Sequence, residues 1–288
     1  MRIGLIDVDG HRFPNYALMK IAKYHCQSGD MVEWVNHLER YDKVYKSKVF
    51  TFSPDNTFVV QADEIFKGGT GYKMYHDLFC DDTEPDYSLY PQYPHAYGFL
   101  TRGCIRWCPW CIVPRKEGMI RPYRDIETVL QGRKTAILMD NNVLASNHGL
   151  EQLEKIIAIG CKVDFNQGLD SRLVTDEIAK ILSRIRWMRF IRFACDTTPA
   201  VEPLIRAVDK LNKNGIKSYR IFVYLLVKDV SEANERCKIL KKLGVVPFAQ
   251  TYRDDDNTIQ PTNEQKRFAW YVNQKAVFKA TEWEEYKG

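Results

Sequence analysis

Short apolar runs, each followed by a polar turn and an amphipathic stretch, recur along this chain, and their spacing predicts alternating strands and helices. The first run, over 3–7, reads as a strand; Asp9 to Asn15 form a polar turn, and Leu18, Ile21 and Ala22 then share one face of a helix. Further strands are predicted at 31–35, 43–50 and 64–67, the last running into Gly68-Gly69-Thr70-Gly71. Such alternation favours a small parallel sheet with any ligand at the C-terminal ends of its strands. Residues 81–94 are rich in Asp, Pro and Tyr without periodicity, which predicts a linker.

From residue 97 the pattern becomes a repeated unit of strand, loop and helix, with strands at 97–101, 135–140, 163–167, 189–195, 219–227 and 245–251. Gly132, Gly160, Gly215 and Gly244 are predicted helix stops, since glycine accepts the left-handed backbone of a C-cap. Between the strands, Ile178, Ile181, Leu182 and Ile185 repeat at core-facing spacing, as do Leu204, Val208 and Leu211. A closed barrel of such units takes eight of them in about 250 residues, so six units imply an open, partial (β/α)6 barrel. Thr262-x-x-Gln265 is a helix-start signature, and Phe268, Val272, Ala276, Ala280 and Trp283 continue it at helical spacing. The expected fold class is α/β: a small Rossmann-like parallel sheet over 1–80, a linker over 81–96, the partial barrel over 97–256 and one C-terminal helix over 257–288.

Composition narrows the class. With 45% hydrophobic and 27% charged residues the chain is an ordinary globular one, and no apolar run approaches the length that crosses a bilayer. The start, MRIGLIDVDG, lacks the apolar core of a signal peptide, which predicts a cytoplasmic location and no membrane partner. A net charge of +5 is too small to demand nucleic acid. The densest basic stretch, Arg184, Arg186, Arg189 and Arg192, straddles a helix end where cations suit the dipole; a solvated face is the favoured interpretation, with RNA contact as the alternative.

The chemistry concentrates in YGFLTRGCIRWCPWCIVPRKEG, residues 97–118, where Cys104, Cys108 and Cys111 are three of the chain's eight cysteines. Three is an odd number for disulfides, and C-x3-C-x2-C presents a tight set of soft thiolates suited to iron-sulfur or zinc chemistry. Three thiolates can hold three corners of a 4Fe-4S cluster and leave the fourth iron for a reactant. A structural zinc site needs a fourth ligand; no cysteine lies nearby, and His95 is the closest candidate.

With Trp110 just before the last cysteine, these residues resemble the radical S-adenosylmethionine (SAM) superfamily, over about 97–253. The resemblance implies that SAM chelates the open iron and that one electron splits it to a 5'-deoxyadenosyl radical, which abstracts hydrogen from a substrate. It also implies a flavodoxin- or ferredoxin-like reductant as partner. Cys111-Ile112-Val113-Pro114-Arg115 with Glu117-Gly118 is similar, more narrowly, to the methylthiotransferase and cobalamin-domain branches. Only Cys26 and Cys80 precede Cys104, too few for the second cluster of methylthiotransferases, so the likeness argues kinship of fold.

Chemistry in parallel barrels gathers after the strands. The resemblance places Asp140, Asn141 and Asn142 where the family accepts the SAM amino group, and Asp196 where it holds the ribose hydroxyls; a helix N-cap is the other interpretation of Asp196. In FNQGLDSR, Gln167 is a cofactor candidate and Arg172 has a fork that suits the SAM carboxylate, with a surface salt bridge as its alternative. Tyr224 to Asp229, YLLVKD, departs from the family's G-x-I-x-G, so adenine contacts there are expected from backbone or apolar atoms. Gln250, Tyr252 and Arg253 are candidate substrate contacts.

In the first domain, Asp9-Gly10-His11 resembles the D-x-H-x-x-G of cobalamin-binding domains, with Pro14 where that motif has glycine, and Gly68-Gly69 resembles its later glycine pair. This implies either a cobalamin site, and with it a cobalamin-dependent methyl transfer, or a degenerate scaffold. Asp7-Val8-Asp9-Gly10 also resembles the nucleophile loop of haloacid-dehalogenase phosphohydrolases, with Asp81-Asp82 as the acidic counterpart, but His11 stands where that family has Thr or Val.

Overall fold

The run Arg2–Asp7 forms the first strand, β1, of a parallel sheet, and its central residues, from Ile3 to Ile6, are all buried. The computed structural model describes residues 1–288 except His11, and the chain divides into two compact units, Met1–Pro94 with Asp255–Asn257, and His95–Asp254 with Thr258–Gly288.

In the first unit β1 is followed by α1 (Tyr16–Gln27), β2 (Met31–Trp34), β3 (Arg40–Ser47) and β4 (Gln61–Gly68). The sheet order is β2-β1-β3-β4 and every pair is parallel. Helix α1 starts where Asn15 accepts the Leu18 N–H, and its Leu18, Ile21 and Ala22 pack on Ile3 and Leu5. The stretch expected as a linker contributes to this unit: Tyr87 and Tyr90 are buried, and the Tyr90 hydroxyl donates to Asp7 Oδ2 at 2.9 Å. Strand β3 ends at Ser47 rather than at 50, because the backbone N–H groups of Val49 and Phe50 turn to the Asp9 carboxylate.

The second unit opens with β5 (Ala96–Gly98) and a two-residue hairpin, β6 (Thr101–Arg102) with β7 (Arg121–Pro122), which encloses α2 (Val113–Glu117). Next come α3 (Ile126–Leu130), β8 (Thr135–Leu138), α4 (Asn147–Ile159), β9 (Lys162–Phe165), α5 (Asp176–Arg184), β10 (Arg186–Trp187) and β11 (Ile191–Ala194). The unit ends with α6 (Val201–Lys213), β12 (Ile221–Val227), α7 (Val230–Leu243), β13 (Val246–Thr251), α8 (Asn263–Asn273) and α9 (Lys275–Ala280).

Two parallel sheets result, β10-β9-β8-β5 and β11-β12-β13, linked by a parallel bridge between Leu169 and Phe193. No closed barrel forms among the described residues. Ile221, Val223, Leu225 and Val227 of β12 turn into the core shared with α6 and α7, while Phe222 and Tyr224 lie on the other face with Phe248. Burying the four apolar side chains of that one strand stabilises the unit by about 1.5–3 kcal/mol each.

Gly160 and Gly244 cap α4 and α7 in left-handed conformation, as their positions predict. Helix α3 instead stops at Gln131, φ 45°, and α6 at Asn214, one residue before each predicted glycine. The single C-terminal helix is corrected to two. Thr262 and Gln265 form the capping box of α8, but Gln274 leaves helical geometry at ψ 86°, and the Asn273 side chain is drawn instead to the backbone N–H and C=O of Ala249 in β13. No helix is long and apolar enough among the described residues to cross a membrane.

Candidate functional site

Cys104, Cys108 and Cys111 lie in the loop between β6 and α2, beyond the C-terminal end of β5. Backbone geometry fixes how the loop begins. Gly103 sits at φ 79°, and a Cβ there would meet the Met119 carbonyl oxygen at 2.3 Å, so only glycine lets the two passes of chain approach. The Cys104 N–H then reaches the Gly118 carbonyl at 3.2 Å.

Glu117 clamps this arrangement. Its carboxylate takes Nε and Nη2 of Arg102 at 3.0 and 2.9 Å, the Gly103 N–H at 2.9 Å and Asn141 Nδ2 at 2.9 Å. Asp140 performs a similar task at the strand end: it is buried, and accepts from the Leu100 and Thr101 N–H groups and from Thr101 Oγ1. Burial outweighs those three donors and pushes its carboxyl up to about 6. Asp140 and Asn141, expected to face a ligand, bond within the chain here, Asp140 to Leu100 and Thr101 and Asn141 to Glu117.

Asn142 does stand beside a thiol. Its Nδ2 lies 3.5 Å from Cys104 Sγ and 3.3 Å from Asp170 Oδ2, and its Oδ1 is buried with no partner. The Arg106 N–H also points to Cys104 Sγ, at 3.3 Å. Asp170 gathers two guanidinium groups, Arg106 at 3.0 Å and Arg172 at 2.6 and 3.1 Å. Burial opposes its ionisation, but the hydrogen bonds of Arg172 and Arg106 prevail and hold it below the usual carboxylate range. Arg172 therefore makes a salt bridge with a carboxylate whose side chain is 6% exposed, and its charge acts on Cys108 and Cys104 as well.

The thiols themselves are half-buried. Burial raises the Cys108 and Cys111 pKa values; Arg172 opposes it at Cys108, and the neighbouring thiols add to it at both. Asp196 accepts from the Leu226 N–H at 3.2 Å, and Trp110, which lies between two of the thiols in the chain, is near enough to oppose the effect of burial on its carboxyl. Burial raises the Asp196 pKa. Asp196 caps no helix: the short turn after it begins at Thr197, and α6 at Ala200 has no side-chain cap. The Lys228 ammonium lies 5.0 Å from the Trp110 ring centre and 4.1 Å from that of Tyr252.

Other expected residues lie apart from this cluster or engage elsewhere. Gln167 is exposed and bonds to Asn166, Gln250 is exposed, and Arg253 binds Gln260. Gly69 belongs to a tight turn at φ 99°, where a Cβ would meet the Lys48 carbonyl at 2.4 Å, whereas Gly68 has open space. His11 lies outside the described residues. Asp7 and Asp9 act as ties, Asp7 to Asn15 and Tyr90, Asp9 to Ser53 and the backbone of residues 49 and 50.

Sequence reasoning missed Glu117 as a clamp and Arg236 altogether. Arg236 is buried; it donates to the Cys195 and Leu226 carbonyls and pairs with Glu232, tying the ends of β11 and β12 beneath Asp196. A glutamate followed by glycine at the end of a cysteine loop was a usable signal for the first; an arginine at mid-helix gave none for the second.

No protein-family model and no curated protein matches this chain. The fit of a metal group therefore rests on the donor set. Among the described residues, no three His, Cys, Asp or Glu side chains converge as ligands of a single ion. The three thiols share one loop, and two N–H donors, from Arg106 and Asn142, are directed at the Cys104 sulfur, the hydrogen bonding that a thiolate ligand accepts; the buried Asn142 Oδ1, an acceptor, is left for a donor.

Proposed function

We propose that this protein is a radical SAM enzyme, with Cys104, Cys108 and Cys111 as the ligands of a 4Fe-4S cluster and the second unit as a partial (β/α)6 barrel. The single observation carrying the proposal is the loop of three thiols at the C-terminal end of a parallel strand, with Asn142 and the Arg106 N–H directed to the Cys104 sulfur. The sequential parallel strands, bridged from Leu169 to Phe193 and unclosed, support the partial barrel.

When bound, the cluster and SAM would supply one electron to a carbon-sulfur bond and a 5'-deoxyadenosyl radical able to take hydrogen from a substrate. The chain's own residues position and enclose. Glu117 and Gly103 set the loop, Asp170 holds two cations close to the thiols, and Asp196 is held at the strand ends by the Leu226 N–H. Positive charge from Arg172 favours thiolate at Cys108, against burial and Asp170, and would stabilise the added electron of a reduced group. Lys228, over the Trp110 and Tyr252 rings, offers a cation to an anionic part of a bound molecule.

Metal and sulfide analysis of anaerobically reconstituted protein tests the ligand set. About four irons and four sulfides per chain are expected, with loss of the cluster's visible absorption in Cys104→Ala, Cys108→Ala and Cys111→Ala; stoichiometric zinc in their place is the contrary result.

A further inference from the structure

At the opposite, N-terminal end of β11–β13, a groove of about 640 Å³ opens between the turns that lead into those strands and helix α9. Its charged lining is Arg189, Arg220, Lys241, Lys275 and Lys279, with no carboxylate among the lining residues. Of these, Lys241 is neutralised by Glu282 at 2.6 Å. Among the described residues no carboxylate reaches ion-pair distance of Arg189, Arg220, Lys275 or Lys279. Like charges held together without counter-charge repel; a helix C-terminus accounts for Lys279, in the last turn of α9, but not for Arg189 or Lys275. Arg189 and Arg220 precede strands, and Lys275 opens α9, at the positive end of its dipole.

Aromatic rings are interleaved with the cations. Arg189 lies 4.8 Å and Lys275 5.3 Å from the Phe190 ring centre, and Tyr219 is 66% exposed at the rim. A second groove at the same end of β8 and β9, about 680 Å³, is lined by Arg133, Lys134, Lys162 and Arg186, with Glu127 as the carboxylate among its lining residues. Phosphate contacts from Arg and Lys with stacking on exposed rings are the two elements of single-strand recognition.

We infer that this basic end of the second unit is a docking surface for a single-stranded polynucleotide, seated in the groove of Arg189, Arg220 and Lys275 with bases against Tyr219 and Phe190. It stands on the side of the strands away from the cysteine loop and does not depend on the chemistry proposed there. A flat anionic membrane would address protruding side chains, whereas these cations line concavities.

The test is fluorescence anisotropy of labelled oligouridylate with the full, cluster-free chain across a salt series. Binding should weaken steeply with salt. Arg220→Glu with Lys275→Glu should weaken it about tenfold or more and lower the slope of log K against log salt by about 0.7 for each phosphate that the replaced cation had neutralised. Tyr219→Ala should weaken binding with no change in slope. The charge-matched pair Lys180→Glu and Arg206→Glu, exposed on α5 and α6, should bind as the parent does. Circular dichroism confirms that each variant is folded. Absence of binding, equal loss in the control pair, or tighter binding to phosphatidylserine vesicles than to the oligonucleotide overturns the inference. None of these outcomes bears on the cluster.

Discussion

Asn142 donates through Nδ2 to the sulfur of Cys104 at 3.5 Å, and thereby joins the loop after β8 to the loop after β6. A donor directed at a cluster sulfur stabilises the more negative, reduced state. Asn142→Ala removes one hydrogen bond of about 1 kcal/mol. The midpoint potential of the reconstituted cluster should therefore fall by about 40 mV, at 59 mV per tenfold for one electron. Redox titration followed by electron paramagnetic resonance reads this shift; an unchanged potential would place Cys104 outside the cluster.

Glu117 is the acceptor for Arg102, Gly103 and Asn141 together, with a side chain 6% exposed. Glu117→Ala leaves a guanidinium, a backbone N–H and an amide without their partner. Unfolding of the cluster-free protein in urea should show a loss of about 3 kcal/mol. A change below about 0.5 kcal/mol, the ordinary effect of a surface substitution, contradicts the clamp.

Gly103→Ala brings a Cβ onto the Met119 carbonyl at 2.3 Å in a left-handed backbone. It should abolish cluster assembly while circular dichroism shows the sheets retained, since the strain falls on the hairpin of β6 and β7 alone. Gly68→Ala, in open space, should leave the protein unaffected.

Asp140 makes a pH prediction. Its carboxyl, at about 6, lies above the ordinary 3.8 because burial disfavours the charge. The folded protein keeps this proton where the unfolded chain has released it, so the contribution favours folding at low pH. It is lost as pH rises from about 4 to about 6, by about 3 kcal/mol at 1.36 kcal/mol for each unit. Urea unfolding at successive pH values should show that decline in the parent chain and a flatter course in Asp140→Asn.

How much of this was legible depended on whether partners lie near each other in sequence. Apolar runs announced β1, β8 and β12, because a short apolar run is read from neighbours in the chain and needs no distant information. The spacing of Cys104, Cys108 and Cys111 did the same for the thiol loop. Asp140 drew attention because it follows a strand; that the Leu100 and Thr101 N–H groups donate to its oxygens shows only in the folded chain. Helix α8 looked continuous with α9 because periodicity survives a break, and the pull of Ala249 on Asn273 is a tertiary effect. Arg236 was invisible for the same reason, its carbonyl partners being set by two strands that meet only on folding.

The most direct measurement is the product of SAM turnover. Protein reconstituted without oxygen, reduced with dithionite and given SAM should release 5'-deoxyadenosine, and Cys108→Ala treated identically should release none. An iron-loaded parent protein that never yields 5'-deoxyadenosine, or a yield unaffected by losing that thiol, would contradict the account.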